Sequence, residues 1–197
     1  GYLTSTPADV PAMTDVYWGP EYDDSIEAIL EERKLEYRTA DDVAAETAEY
    51  LANGALVGWF QGRLELGPRA LGNRSILADP RTAESRDRVN KYVKHREEWR
   101  PFAPSMKAAA LDDYLIDASS SPFMIKTYEV REDKRDEIPA VLHPADDTTR
   151  PQTVTKDQNP RYHALLSAFE ERTGVPVLLN TSFNDHAEPI VTHPIEA

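Results

Sequence analysis

One segment leaves the chain little freedom of fold: Asn159 to Asn184. Asn159-Pro160 reads as a helix N-cap followed by proline at the first helical position, where a missing N–H costs nothing. Tyr162, Leu165, Leu166 and Phe169 then recur at helical spacing, and Gly174 stands where a left-handed residue ends a helix. Directly after it, Val175–Leu179 is wholly apolar, rich in valine and leucine, and too short for a helix. It reads as a central strand buried on both faces. A helix feeding a central strand through so short a connection points to an α/β domain. The strand runs into Asn180-Thr181-Ser182-Phe183-Asn184, a polar turn at a strand end, where α/β sheets commonly hold ligands.

A second stretch carries the charge. Between Gln61 and Lys107 eleven Arg or Lys oppose six Asp or Glu, a local balance of +5 in a chain of net charge −13. Ala55–Phe60 reads as a buried strand, and Gly67-Pro68 and Gly72-Asn73 are turn dipeptides. Ser75–Ala78 reads as the next strand, ended by Asp79-Pro80. Arg63, Arg69 and Arg74 therefore sit on backbone held by turns. A guanidinium is a planar fork of donors suited to phosphate or carboxylate, so a converging set can form an oxyanion site. The same arginines can equally pair with the many carboxylates of this chain, and residue types alone do not choose.

The helix expected over Thr82 to His95 has Val89, Tyr92 and Val93 as its apolar stripe. It should stop before Trp99-Arg100-Pro101. Lys94, Arg96 and Arg100 then fall at its C-terminal end and in the turn beyond. A helix dipole favours cations there, so capping is the alternative to ligand binding.

The remainder is plainer. Residues 1–20 carry prolines and no clear period, and read as a linker or an arm of a neighbouring domain. Over residues 1–50 thirteen carboxylates face three cations. Two short helices are expected there, one over Asp24–Arg33 and one opened by a capping-box-like Thr39-Ala40-Asp41-Asp42 and stopped by Asn53-Gly54. Pro122–Val130 looks strand-like, Arg131–Glu137 is a charged loop, and Arg150 stands in a loop before another strand. Pro194 to Ala197 has the form of another helix start, which points to a continuation beyond it.

Length and composition set limits. The 197 residues, 40% of them hydrophobic, suffice for one core with an appendage. Without cysteine there are no disulfides, thiolate nucleophiles or thiolate metal sites. The five histidines show no HExxH or other compact ligand pattern, and no metal site is expected. No GxSxG elbow, Walker loop or GxGxxG occurs, so a nucleotide site here must be built from Arg, Lys, Ser and Asn donors. A pI near 4.8 argues against general affinity for nucleic acid. No run approaches membrane-spanning length and the first residues lack signal-peptide character, so a cytoplasmic protein is the expectation. Seven Lys, fifteen Arg and abundant acids fit a salt-adapted, halophilic source.

Four blocks, in order, carry a family resemblance. GWFQGRLELGPRALGNRSILADPR, REEWRPFAPS, RPQTV and TGVPVLLNTSFN with its following EPI resemble the C-terminal part of the large O-carbamoyltransferases of nodulation and antibiotic biosynthesis. The resemblance runs from about Ala55 to the end. It implies that residues 1–54 are a linker and helical extension from a preceding transferase domain, and that 55–197 form a YrdC-like domain, a twisted mixed β-sheet flanked by helices (α/β, or α+β). It also implies an activity: forming carbamoyl adenylate from carbamoyl phosphate and ATP, with Mg²⁺ arriving on the ATP, for transfer to a hydroxyl acceptor by the N-terminal transferase domain. YrdC-like sites resemble a Lys-x-Arg plus Ser-x-Asn pattern, found here as Lys94-His95-Arg96 and Ser182-Phe183-Asn184. By that resemblance Lys94, Arg100 and Ser182 are the catalytic candidates. Arg63, Arg69, Arg74, Arg96, Arg150, Asn180, Thr181 and Asn184 are the candidates for binding substrate. His143-Pro144-Ala145-Asp146 departs from the family's usual look. A threonylcarbamoyl-adenylate synthase and a double-stranded RNA-binding module are the alternatives the fold resemblance leaves open.

Overall fold

The computed structural model describes residues 13–197, so most of the arm expected over 1–20 lies outside the described residues. Helices α1 (Ile26–Glu32) and α2 (Val43–Ala52) come first, then strands β1 (Val57–Phe60) and β2 (Arg74–Ala78) and helix α3 (Ala83–Tyr92). Strand β3 (Ala103–Lys107), the single turn α4 (Leu111–Tyr114), and the short strands β4 (Tyr128–Glu129), β5 (Thr148–Thr149) and β6 (Gln152–Val154) follow. Helix α5 (Pro160–Thr173) and strand β7 (Val177–Ser182) come last. Five strands form one mixed sheet in the order β1-β2-β7-β3-β6, flanked by helices. Only the β3–β6 pair is parallel. The α/β class is as expected. Among the described residues no helix is long and apolar enough to cross a membrane.

The Asn159–Asn184 segment folds as its chemistry requires. The Asn159 side chain accepts the Tyr162 N–H, and Gly174 ends α5 in the left-handed region at φ 77°. Tyr162, Leu165, Leu166 and Phe169 are all fully buried, in one core with Val177, Leu178 and Leu179 of β7. Helix α2 packs along α5 and contributes fully buried Ala48 and Leu51 to that core. The helix grouped with the N-terminal extension thus shares the core of the sheet domain.

Several local expectations change. Strand β7 begins two residues later than read and continues through Asn180, Thr181 and Ser182, which pair with Leu77, Ile76 and Ser75 of β2. That ladder satisfies their backbone, so the turn starts only at Phe183. Pro122–Val130 is no strand, because Met124 sits at φ 53° and breaks the extended run. Tyr128–Glu129 form a two-residue strand, Val130 makes an isolated bridge to Leu115, and Ile125 is 74% exposed. Strand β3, hidden in the sequence by Pro104, was not expected at all. Asp42, not Thr39, caps α2, accepting the Ala45 N–H at 2.9 Å. Tyr92 faces solvent rather than joining Val89 in the core.

Candidate functional site

The glycine-rich loop between β1 and β2 is held from inside by two buried charges. The Arg74 guanidinium is fully buried and donates to the carbonyl oxygens of Gln61 at 2.6 Å, Asn73 at 3.0 Å and Gly62 at 3.1 Å. It also stacks 3.5 Å above the centre of the Phe60 ring. Glu65 is its counterpart. One carboxylate oxygen, Oε1, accepts the backbone N–H groups of Leu71 and Asn73 at 2.7 Å and of Arg74 at 3.3 Å. Burial pulls the Arg74 pKa down and pushes the Glu65 pKa up. Arg74 is therefore spent on the loop: its two terminal nitrogens are turned onto backbone, and its Nε is buried without a partner among the described residues. Arg63, on the same loop, is exposed and donates to the Gly19 carbonyl.

What this scaffold presents is Arg69. Together with Arg96 and Arg150 it lines a cleft of about 150 Å³ whose floor is Asn180, Thr181 and Ser182 of β7. None of the described residues lining the cleft is a carboxylate. Arg96 is aimed by its neighbours: its Nε donates to Asn90 Oδ1 at 2.8 Å, and its guanidinium lies 4.7 Å from the centre of the Phe102 ring. Burial, then the nearby Arg100, lowers its pKa. Burial, then Arg69, lowers that of Arg150, whose Nε has no partner among the described residues. Cations held together without a counter-charge are costly unless an anion joins them. A second cavity, of about 160 Å³, shares Pro101, Phe102, Ala103 and Arg150 with the first and extends past His143 and Thr148.

Lys94, 5% exposed, touches Ser182 of the floor and is not itself among the residues lining the cleft. Its Nζ donates to the Ser182 carbonyl oxygen at 2.6 Å, to Asn184 Oδ1 at 2.7 Å and to the Asn184 carbonyl oxygen at 2.8 Å. A fourth oxygen, Ser182 Oγ, is 3.2 Å away and donates in turn to Asn184 Oδ1 at 2.5 Å. An ammonium has three hydrogens, so this chain engages all of them. The Lys-x-Arg and Ser-x-Asn residues do meet, through Lys94 as a tie between α3's end and β7. Arg100 points elsewhere: its Nε pairs with Glu97 at 2.9 Å on the surface, and it is not among the residues lining the cleft.

Sequence reasoning passed over the residues beneath the floor. Ser105 of β3 and Gln152 of β6 are buried and bonded to Asn180 and to one another. Their signal, a serine and a glutamine within short apolar runs, is too common to single out. Phe102, the plate under Arg96, lies in the REEWRPFAPS segment, where its residue type alone gave no sign of that role.

Comparison with known proteins bears on this arrangement. A family model described as Carbamoyltransferase C-terminus matches residues 48–197. Nodulation protein NolO of Bradyrhizobium diazoefficiens is 48% identical over 192 residues, covering 94% of this chain and 35% of the relative. The 3'-hydroxymethylcephem-O-carbamoyltransferase of Amycolatopsis lactamdurans is 44% identical over 146 residues, 74% of this chain and 27% of the relative. Nodulation protein U of Rhizobium fredii is 34% identical over 179 residues, 90% of this chain and 29% of the relative. The chain thus spans about a third of the length of these relatives.

Proposed function

The chain belongs to the carbamoyltransferase family through its C-terminal domain, and from that premise we propose that the Arg69–Arg96–Arg150 cleft binds carbamoyl phosphate and ATP and forms carbamoyl adenylate. The observation that carries this is the convergence of three arginines on one cleft without a carboxylate among the described lining residues. Both substrates are polyanions and repel. Fixed guanidinium groups offset that repulsion and stabilise the charge that develops at phosphorus.

For the atoms to balance, water cleaves carbamoyl phosphate to carbamate and phosphate. A carbamate oxygen then attacks the α-phosphorus of ATP, the bond to the β-phosphate oxygen breaks, and pyrophosphate leaves. No side chain need form a covalent bond. The adjoining cavities suit two neighbouring substrates, and Arg150, in the wall of both, can face either. Because the described residues lining the cleft are cations and neutral groups, Mg²⁺ would be held by the phosphates of ATP. Lys94 acts through Ser182 and Asn184, fixing the floor on which the reacting groups lie. Handing the carbamoyl group to a hydroxyl acceptor falls, in this reading, to an N-terminal transferase domain.

Two measurements test the proposal. Calorimetric titration with ATP and Mg²⁺ should show binding, and pyrophosphate should appear when carbamoyl phosphate is added. An ATP affinity unchanged when Arg69 and Arg150 are both replaced by alanine would place the site elsewhere.

A further inference from the structure

A polar seam crosses three strands under the cleft. Gln152 of β6 lies opposite Ser105 of β3, and Ala103, two residues before Ser105, lies opposite Asn180 of β7. The side chains interlock. Gln152 Nε2 donates to the Leu71 carbonyl at 2.7 Å, and Ser105 Oγ donates to Gln152 Oε1 at 2.7 Å. Asn180 Nδ2 donates to Ser105 Oγ at 2.8 Å and to the Ala70 carbonyl at 3.1 Å. Both hydrogens of the Asn180 amide are thereby used, and turning the amide over would set its oxygen against the Ala70 carbonyl. The orientation is fixed, and it leaves Asn180 Oδ1 buried without a donor among the described residues.

Asn180 is 2% exposed and forms part of the cleft floor. An unmet acceptor in such a place is expensive, and its counterpart is an N–H or O–H brought by a ligand. Ser182 Oγ, its neighbour on the same floor, is already engaged with Asn184 and Lys94. Beside Asn180, Arg150 keeps an unmet donor at Nε. The cleft therefore offers a cationic half and, in Asn180 Oδ1, a buried amide acceptor left unmet. A carbamoyl phosphate has matching halves: a phosphate and a planar NH₂. An acetyl phosphate has a methyl group in place of the NH₂ and cannot satisfy the acceptor.

We propose that Asn180 Oδ1 accepts a hydrogen bond from the carbamoyl NH₂ and is the residue that selects carbamoyl over other acyl phosphates. This rests on reading the cleft as the carbamoyl phosphate site. Leaving the acceptor unmet against a methyl should weaken binding by about 10-fold or more.

The test uses two stable phosphonates that differ only at this group, phosphonoacetamide and acetonylphosphonate, with inorganic phosphate as the reference. Calorimetry on the unmodified chain should show phosphonoacetamide binding about 10-fold tighter than acetonylphosphonate, and Asn180→Ala should bring the two to parity. Equal affinities in the unmodified chain, with phosphate still bound, overturn the role of Asn180 and leave the anion site standing. Discrimination that survives in Asn180→Ala overturns it as well. If not even phosphate binds, the cleft reading fails and takes this proposal with it. Should Asn180→Ala not fold, a crystal structure of the unmodified chain with phosphonoacetamide decides. The amide nitrogen within about 3.2 Å of Asn180 Oδ1 supports the proposal, and a water in that place refutes it.

Discussion

The ammonium nitrogen of Lys94 lies 2.6 Å from the backbone carbonyl oxygen of Ser182, a residue 88 positions further along the chain. The contact ties the end of α3 to the end of β7, the strand that floors the cleft. Asn184 closes the same cage with its carbonyl and its side chain. A lysine held this way sets where the Ser182 hydroxyl and the Asn184 amide stand, and a phosphate would meet them before it met Lys94.

Lys94→Met keeps the length of the side chain but leaves buried oxygens without donors. We expect it to destabilise the fold by about 2–4 kcal/mol, seen as a lower urea midpoint with an unchanged slope. Lys94→Arg should rescue little, because a planar fork does not fit a cage built around a compact ammonium. A loss below about 0.5 kcal/mol in Lys94→Met would show that the cage carries no stability.

The same lysine gives the site a pH signature. Burial first, then Arg96, pulls its pKa down from 10.5 to about 8, with Asp185 opposing. Above pH 8 the tie behind the floor loses its charge and a hydrogen-bond donor, so ATP affinity should fall as pH rises through that value. Stability should move the other way. Between about 8 and 10.5 the unfolded chain binds more protons at this residue than the folded one, so this residue's share of stability rises with pH. Titrating ATP affinity at several pH values in the parent and in Lys94→Met checks this, since the variant should show no step near pH 8.

Arg150 and Arg100 should separate under substitution. Arg150 lines both cavities and has an unmet Nε, so Arg150→Ala should weaken ATP binding by about 10- to 100-fold while leaving the melting temperature level or higher. Arg100 is paired with Glu97 at the surface, and Arg100→Ala should change ATP affinity by no more than about threefold. Calorimetric titration of both variants measures this. The reverse order would mean that the cleft closes around Arg100 when ligand binds.

The sequence exposed those parts whose signals are local. Asn159, Pro160 and Gly174 bound α5 because caps act within a turn of helix, and Val177–Leu179 announced a buried strand by composition. Strand β3 stayed hidden because Ala103, Pro104 and Ser105 are poor strand formers that tertiary pairing with β7 and β6 overrides. The site divided along the same line. Arg69, Arg96 and Arg150 could be nominated by type, and three of the four family blocks supply them. That Arg74 turns inward onto Gln61 and Gly62, while Arg69 turns outward, depends on the buried Glu65 and on packing that no spacing reveals.

Salt offers an independent check on the chain's charge. With a net charge of −13, self-repulsion should weaken the fold in dilute buffer, and screening should relieve it. The melting temperature should rise between dilute buffer and molar potassium chloride. A flat or falling curve would remove the salt-adapted reading, while leaving the cleft untouched.

The loop that presents Arg69 can be probed at two glycines that differ in one respect. Both have positive φ, 98° at Gly72 and 119° at Gly67, so an alanine at either strains the backbone. At Gly67 a methyl group would meet nothing within 4 Å, and the cost should be that strain alone, about 1–3 kcal/mol. At Gly72 the methyl would stand 2.3 Å from Cδ1 of Tyr162, a fully buried ring in the core of α5. That ring cannot retreat without disturbing the core, so Gly72→Ala should cost well over 3 kcal/mol. Because Leu71 and Asn73 on either side donate to Glu65, the shift should also loosen the loop and weaken phosphate binding at Arg69. Urea unfolding and phosphate titration of the two variants, side by side, separate strain from collision. Equal losses at the two glycines would mean that Gly72 is required only for its backbone angle, and that Tyr162 does not set the height of the loop.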